Sequence, residues 1–401
     1  MRMLSLFSGI GAFEKALTNL KYNFSLVGYS EIDRFASRSY SAIHGVSENL
    51  NLGDVSAIAE VPDFDLMTFG FPCTDISVAG RQLGMVEGTR SNLYREALRI
   101  LEMKRPKYSV FENVKNLVGK AFKPDFDRIL QELSNLGYTN YWKVLNAKDY
   151  GVPQNRERVF VISILGEHTP PIWPTPFDNG LRLMDFLETE VDEKHFLSGD
   201  KVQKLIDKLD LTQFKGLLTG GKYNQNEGFA VDDISRTLDA SQYKGLGGNQ
   251  NRTAVAVLTP ERAEKRQNGR RFKTEGEPMF TLTGQDRHGV MQIGNIVDTG
   301  NFENSQRGRI YDPAGVSPTL NTCTGGGFTP KVVLIDDCCP TIRIRRLTAV
   351  ECFRLMGFSD LDIDKCRLIQ GISDCQLYKQ SGNSIVVDVL MEIFKGVDWW
   401  G

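Results

Sequence analysis

Over its first third and a little beyond, the chain alternates short apolar runs with amphipathic stretches, and this pattern constrains the fold more than any other feature. Residues 3–7 read as a strand, a glycine turn follows, and residues 12–20 carry helical spacing. Residues 25–29 make a second strand that runs out to Glu31, and 64–69 a third. A helical segment at 93–103 precedes a fourth strand at 108–111, and 159–165 is a late strand. Strands alternating with helices predict an α/β fold with a parallel sheet covered on both faces. In such sheets ligands sit beyond the carboxyl ends of the strands, so chemistry is sought there.

The texture changes after Pro170-Pro171-Ile172-Trp173-Pro174. From there to about Arg346 the chain is rich in Gly, Asn, Gln and Thr, with short β-like runs and few long helices. A weak repeat runs through it: Ser235-Arg236-Thr237-Leu238, Met279-Phe280-Thr281-Leu282 and Ser317-Pro318-Thr319-Leu320. It reads equally as a recurrent strand-to-turn unit or as loops presented to a ligand. Helical pattern returns at 348–356 and 384–394. Three parts are therefore expected: 1–174, a loop-rich 175–344, and 345–401 returning to the first.

Composition excludes several classes. An apolar share of 41% is that of a globular protein. No run approaches the roughly 18 apolar residues a membrane helix needs, and residues 1–7 lack the core of a signal peptide, so a cytosolic protein is expected. The seven cysteines form no CxxC pair and have no histidines at ligand spacing, which argues against a disulfide framework and against a metal site. Cys323, Cys338, Cys352 and Cys366 read as small core residues. A net charge of −2 does not advertise a nucleic-acid partner, so any basic surface must be local.

Six places carry residues suited to chemistry. The turn Phe7-Ser8-Gly9-Ile10-Gly11 lies between a strand and a helix, where glycines let backbone approach a ligand. Glu14 stands where a dinucleotide fingerprint wants its third glycine, so a pyrophosphate is disfavoured and an adenosine remains open. Glu31 ends the next strand, 20 residues after Gly11, where an acidic ribose ligand belongs. Asp54 is read as a partner for an adenine amine or as a cap residue.

Pro72 stiffens the approach to Cys73, whose neighbours Thr74, Asp75 and Ser77 favour an accessible thiol, and a thiolate is a strong nucleophile. Glu112 ends an apolar run, where partial desolvation would raise its pKa and let it donate a proton. Arg156 and Arg158 alternate at the start of a strand and suit a base oxygen or a phosphate.

Taken in order, FSGIG, Glu31, Asp54, Pro72-Cys73, Glu112-Asn113-Val114, Gln154-x-Arg156-x-Arg158 and Gln380-Ser381-Gly382-Asn383-Ser384 resemble the cytosine-C5 DNA methyltransferase family. The match spans nearly the whole chain apart from the middle. It implies a Rossmann-like S-adenosylmethionine-dependent domain at 1–174, a smaller β-containing target recognition domain at 175–344, and a bracing segment with a C-terminal helix at 345–401. It also implies that Cys73 adds to C6 of cytosine while Glu112 protonates or hydrogen-bonds N3, making C5 reactive towards the cofactor's methyl group. Arg158, with Arg156 beside it, resembles the residue holding the cytosine O2. Phe7, Gly9, Ile10, Gly11, Glu31, Ile32, Asp54, Val55, Pro72, Asn383 and Ser384 match positions around S-adenosylmethionine. No metal is implied.

A base inside a duplex is out of reach, so the resemblance implies that the cytosine is flipped out, at a cost of a few kcal/mol. Arg345-Arg346-Leu347-Thr348 and Glu351 resemble the brace of the recognition domain, and Thr319-Leu320 its Thr-Leu element. Arg262, Lys265, Arg266, Arg270, Arg271 and Lys273 outnumber Glu261 and Glu264 and read either as a phosphate-contacting stretch or as a solvated helix face. A monomer acting on duplex DNA is expected, with a cognate restriction endonuclease as its possible biological companion.

Thr74 and Ile76 depart from the family's usual Gln and Phe, which bears on the loop against DNA and not on the chemistry. The rivals are a tRNA cytosine-C5 methyltransferase on the same scaffold and a catalytically silent DNA-binding module. The first would carry Cys-Phe-Thr where this chain has Cys352-Phe353-Arg354, and the second has no use for Cys73, Glu112 and Arg158 together. A NAD-dependent oxidoreductase is disfavoured by the missing third glycine.

Overall fold

The computed structural model describes residues 1–72, 93–196, 198, 292–295, 309–311, 316–320, 331–335 and 342–399. Cys73, Thr74, Ile76, Cys323, Cys338, the basic stretch at 261–273 and the first two copies of the repeat lie outside the described residues.

The expected strands form one six-stranded sheet. Strand β1 (Arg2–Leu6) lies between β2 (Ser25–Ser30) and β3 (Leu66–Phe69), and β4 (Tyr108–Val114) adds to β3, all parallel. Helices α1 (Ala12–Asn19), α2 (Arg34–His44), α3 (Tyr94–Lys104) and α4 (Lys123–Asn135) occur in the stretches between and after these strands. Both sheet faces are buried. Met3, Leu66 and Val110 join one apolar cluster, whereas Leu4, Leu6, Met67, Phe69 and Phe111 join the other. Period-two alternation with both faces covered is why these strands read as continuous apolar runs.

The sheet is not wholly parallel, which corrects the sequence expectation. Strand β5 (Tyr138–Asn146) and the two-residue β6 (Gln154–Asn155) precede β7 (Glu157–Leu165). Strand β7 inserts antiparallel between β4 and β5. The chain between β5 and β7 is too short for a helical crossover, so the strand must return in the opposite direction. Strand β5 escaped the sequence reading because its burial does not alternate cleanly. Strand β4 also runs two residues past Glu112, so the acid lies within the strand and not at its end.

Beyond residue 170 the described chain returns to this core. Strands β8 (Gln292–Asn295), β9 (Arg309–Tyr311), β11 (Lys331–Ile335) and β12 (Ile342–Arg346) make a second sheet in the order β12-β11-β9-β8. Strand β10 (Ser317–Pro318) pairs in parallel with β6. Helices α5 (Ala349–Arg354), α6 (Asp360–Arg367), α7 (Asp374–Asn383) and α8 (Val387–Lys395) complete the chain. Leu390, Ile393 and Phe394 of α8 share a cluster with Phe13 and Leu17 of α1, and Lys15 on α1 pairs with Asp362 on α6 at 2.7 Å.

Among the described residues no helix is long and apolar enough to cross a membrane. Cys352 and Cys366 are buried as expected, and burial pushes the Cys366 thiol up to about 11, whereas Cys375 is exposed.

Candidate active site

The turn after β1 is wound left-handed at three of its five residues: Phe7 has φ 52°, Gly9 56° and Gly11 81°. A phenylalanine in that region is strained by about 1–3 kcal/mol, a cost that persists only where surrounding structure enforces it. Gly11 has no room for a side chain, because a Cβ would lie 2.1 Å from His44 Nε2. That nitrogen donates to Ile10 O at 3.0 Å and ties the turn to α2. Gly9 differs: a Cβ there would meet nothing within 4 Å, so its backbone faces open space.

Glu31 closes onto this turn. Its Oε2 accepts from Gly9 N at 2.8 Å and its Oε1 from Asp33 N at 2.7 Å. Burial pushes the Glu31 carboxyl above its ordinary range, outweighing the two N–H groups that favour the charged form. Burial also pulls Asp33 upward, but Lys379 and the N–H groups of Ala36 and Phe35 outweigh it and hold that acid low. Ile32, between the two acids, is 77% exposed and presents a bare apolar side chain at the strand end.

Asn51 organises the next wall and was not anticipated. Its Oδ1 accepts from Glu31 N and Gly53 N, both at 3.0 Å, while its Nδ2 donates to Glu31 O at 2.9 Å. Nothing local in the sequence distinguishes this asparagine from a turn residue. Asp54 sits beside it, exposed, with Oδ1 accepting from Ser56 N and Oγ, so it caps a short helical turn. The side chains of Ile10 and Val55 are buried in the core, so of these two only main chain faces outward.

The second half of the site lies at the ends of β3 and β4. Phe71 packs with Phe69, Tyr94 and Phe111, and its carbonyl accepts from Asn113 Nδ2 at 3.1 Å. Those contacts fix the chain immediately ahead of Pro72. Glu112 is buried beside this strap: a Cβ on Gly70 would lie 3.6 Å from its Oε2. Arg158 Nε meets Glu112 Oε1 at 2.9 Å. Burial pushes the Glu112 carboxyl up, while Arg158 and Arg156 pull it back without cancelling the rise. A carboxyl so placed holds a proton to higher pH than a free one and can deliver it.

Arg156 departs from its expected role of anchoring a base. Its terminal nitrogens donate to three main-chain carbonyls, those of Leu320, Gly382 and Ser384, at 2.7–3.0 Å. It therefore joins Gln380-Ser381-Gly382-Asn383-Ser384 to the sheet edge. Ile385, one residue on, comes within 4.0 Å of a Cβ placed on Gly70. Asn383 itself is exposed, and Ser384 is buried.

Thr319 and Leu320 also change character. Thr319 Oγ1 donates to Asn155 O at 2.6 Å and Leu320 is only 2% exposed, so both side chains serve the joint with β6 and not a groove. The segment expected to brace the recognition region holds a buried ion pair: Arg345 Nη1 and Nη2 reach Glu351 Oε2 and Oε1 at 2.8 and 2.7 Å, and Glu351 also accepts from Glu188 N. Phe7–Gly11, Glu31, Asn51–Asp54, Pro72, Glu112 and Arg158 thus gather along the carboxyl edge of the parallel strands, as topology required.

The profile of the C-5 cytosine-specific DNA methylase family matches residues 1–399. The chain belongs to that family. Members are S-adenosylmethionine-dependent DNA (cytosine-5-)-methyltransferases, and this chain is an enzyme of that class. It is 37% identical to the orphan methyltransferase M.SPRI of Bacillus phage SPR, covering 98% of this chain and 97% of that one. It is 31% identical to the type II methyltransferase M2.ScrFI of Lactococcus lactis subsp. cremoris, covering 98% of each. A methyltransferase structure from Entamoeba histolytica superimposes with a TM-score of 0.58 at 15% identity, covering 98% of this chain and 97% of that one, a likeness of fold.

Proposed function

We propose that this chain methylates C5 of a cytosine flipped out of duplex DNA, with Cys73 as nucleophile, Glu112 as proton donor and Arg158 as anchor of the base. The observation that carries the reading is the buried Glu112 carboxyl, raised by burial, beside both Arg158 and Gly70 on the strap that leads to Pro72. The Cys73 thiolate forms a bond to C6, and the π electrons of the C5–C6 double bond move onto C5 and into the ring as Glu112 gives its proton to N3. Arg158 donates to O2 and offsets charge that develops there. As C5 takes up the methyl group the N3 proton returns to Glu112; a base then removes the C5 proton, and the C6–sulfur bond breaks to restore the C5–C6 double bond and return the thiolate.

S-adenosylmethionine supplies an electrophilic methyl group when bound, and the residues present suit it. Gly9 turns its bare backbone to open space, Glu31 offers a carboxylate at a strand end, and exposed Ile32 offers an apolar surface. Phe7, Gly11, Asn383 and the main chain of Ile10 and Val55 complete the set that would hold it, with Asp54 offering its second carboxylate oxygen.

Residues 175–344, which carry none of the reacting groups, choose the DNA sequence. Arg262, Lys265, Arg270 and Arg271 supply phosphate contacts within that region. One chain carries every residue the reaction uses, so a monomer suffices and no stable protein partner is required.

Incubation with tritiated S-adenosylmethionine and either duplex DNA or tRNA tests the substrate. Label in DNA cytosine is the expected result, and transfer to tRNA alone would overturn it. Bisulfite sequencing of plasmid from expressing cells then reads the recognised site.

A further inference from the structure

Arg156 is 4% exposed, and its guanidinium bridges two segments more than sixty residues apart in the chain. Nη1 donates to Leu320 O at 2.8 Å, and Nη2 donates to Gly382 O at 3.0 Å and Ser384 O at 2.7 Å. The second pair belongs to the end of α7, whose last carbonyls lack helical partners and carry the negative end of the helix dipole. A cation is favoured there, and a planar fork with several fixed donors reaches carbonyls on both segments at once. Gln154, two residues earlier, grips the same joint: its Nε2 donates to Leu355 O at 3.0 Å and its Oε1 lies 3.5 Å from Leu320 N. Thr319 Oγ1 closes the joint on Asn155 O. Three consecutive residues therefore hold both the anchor of the recognition region and the segment ending in Asn383-Ser384.

We propose that Arg156 is a positioning residue that couples cofactor binding to DNA binding. The inference rests on the functional reading above, in which Asn383 borders the cofactor and residues 175–344 engage DNA. A ligand that fixes either end of this connector removes freedom that the other ligand would otherwise have to remove, so each tightens the other. Reciprocity is required: the factor must be the same in both directions.

The test titrates S-adenosylhomocysteine into the full-length protein with and without linearised unmethylated plasmid DNA. In the wild type the DNA is expected to tighten binding roughly fivefold or more. Arg156→Lys keeps the charge but not the fork, and should bring that ratio down to about one. A wild-type ratio of one overturns the proposal, as does an Arg156→Lys protein that weakens both ligands while keeping the wild-type ratio. Should the variant not fold, hydrogen exchange on the wild type decides. S-adenosylhomocysteine alone must slow exchange at 317–320, and DNA alone must slow it at 382–385. No cross-protection in either direction overturns the role. Tritium transfer to the same DNA separates the two readings. Absence of transfer sinks the cytosine reading, whereas transfer without coupling sinks only the role of Arg156.

Discussion

Glu112 and Arg158 are diagonal neighbours on one face of an antiparallel pair: Glu112 sits opposite Phe160 and Arg158 opposite Val114. Their side chains are 11% and 16% exposed and meet at 2.9 Å. Because β7 runs against β4, its first residues arrive where β4 delivers its acid. A parallel strand in that place would have brought its far end instead.

Glu112→Gln should lower kcat by about 10²–10⁴-fold, the range for a removed general acid, with cofactor affinity little changed. In the wild type the Glu112 carboxyl is raised, so the protonated form persists to higher pH and kcat/KM should fall as pH climbs through that raised value. The same sign governs stability: this group's contribution is present at low pH and lost as pH rises through its folded value. Activity and chemical denaturation measured across pH check both, and a wild-type alkaline limb that survives unchanged in residual Glu112→Gln activity would remove Glu112 from the reaction.

Cys73→Ala should abolish transfer while S-adenosylhomocysteine affinity stays within about threefold, roughly 0.65 kcal/mol. A duplex carrying 5-fluorocytosine at the target should trap the wild type covalently, since fluorine does not leave as a proton does. Substantial turnover by the alanine variant would refute the covalent route.

Glu31→Ala removes a carboxylate that also holds Gly9 N and Asp33 N. Loss of a charge-assisted hydrogen bond to the cofactor costs about 1.5–3 kcal/mol, so affinity should drop roughly 10- to 150-fold with a smaller effect on kcat. Calorimetric titration with S-adenosylhomocysteine measures this, and unchanged affinity would assign Glu31 to the fold alone.

The two glycines of the turn should separate stability from binding. Gly11→Ala drives a Cβ to 2.1 Å from His44 Nε2 at φ 81°, and should destabilise the fold by at least about 1–3 kcal/mol. Gly9→Ala meets nothing within 4 Å, so its fold should lose less, while the methyl group intrudes on the face offered to the cofactor. Denaturation midpoints and cofactor titrations of the pair give the comparison. Equal losses in stability with intact binding at Gly9→Ala would move the cofactor elsewhere.

The sequence by itself determined the parallel strands of the core, the edge at which the candidate residues gather, and the residue types proposed to act there. Those properties are local or periodic: apolar runs of period two, glycines where left-handed backbone is needed, an acid directly after a strand. It also carried the family, because seven short motifs kept their order. The antiparallel β7 and the missed β5 were not legible, since strand direction depends on what a short connection permits. Nor was the division between the two arginines. Arg156 and Arg158 have the same side chain two residues apart, yet one grips carbonyls of Leu320, Gly382 and Ser384 and the other faces Glu112. Asn51, Asn113 and the buried ends of Thr319 and Leu320 belong to the same group. Apart from the adjacent Gly53 N and Val114 N, the partners of the asparagines lie 14 to 42 residues away, and those of Thr319 and Leu320 lie 164 to 166 away, and only chain packing brings such groups within hydrogen-bond reach.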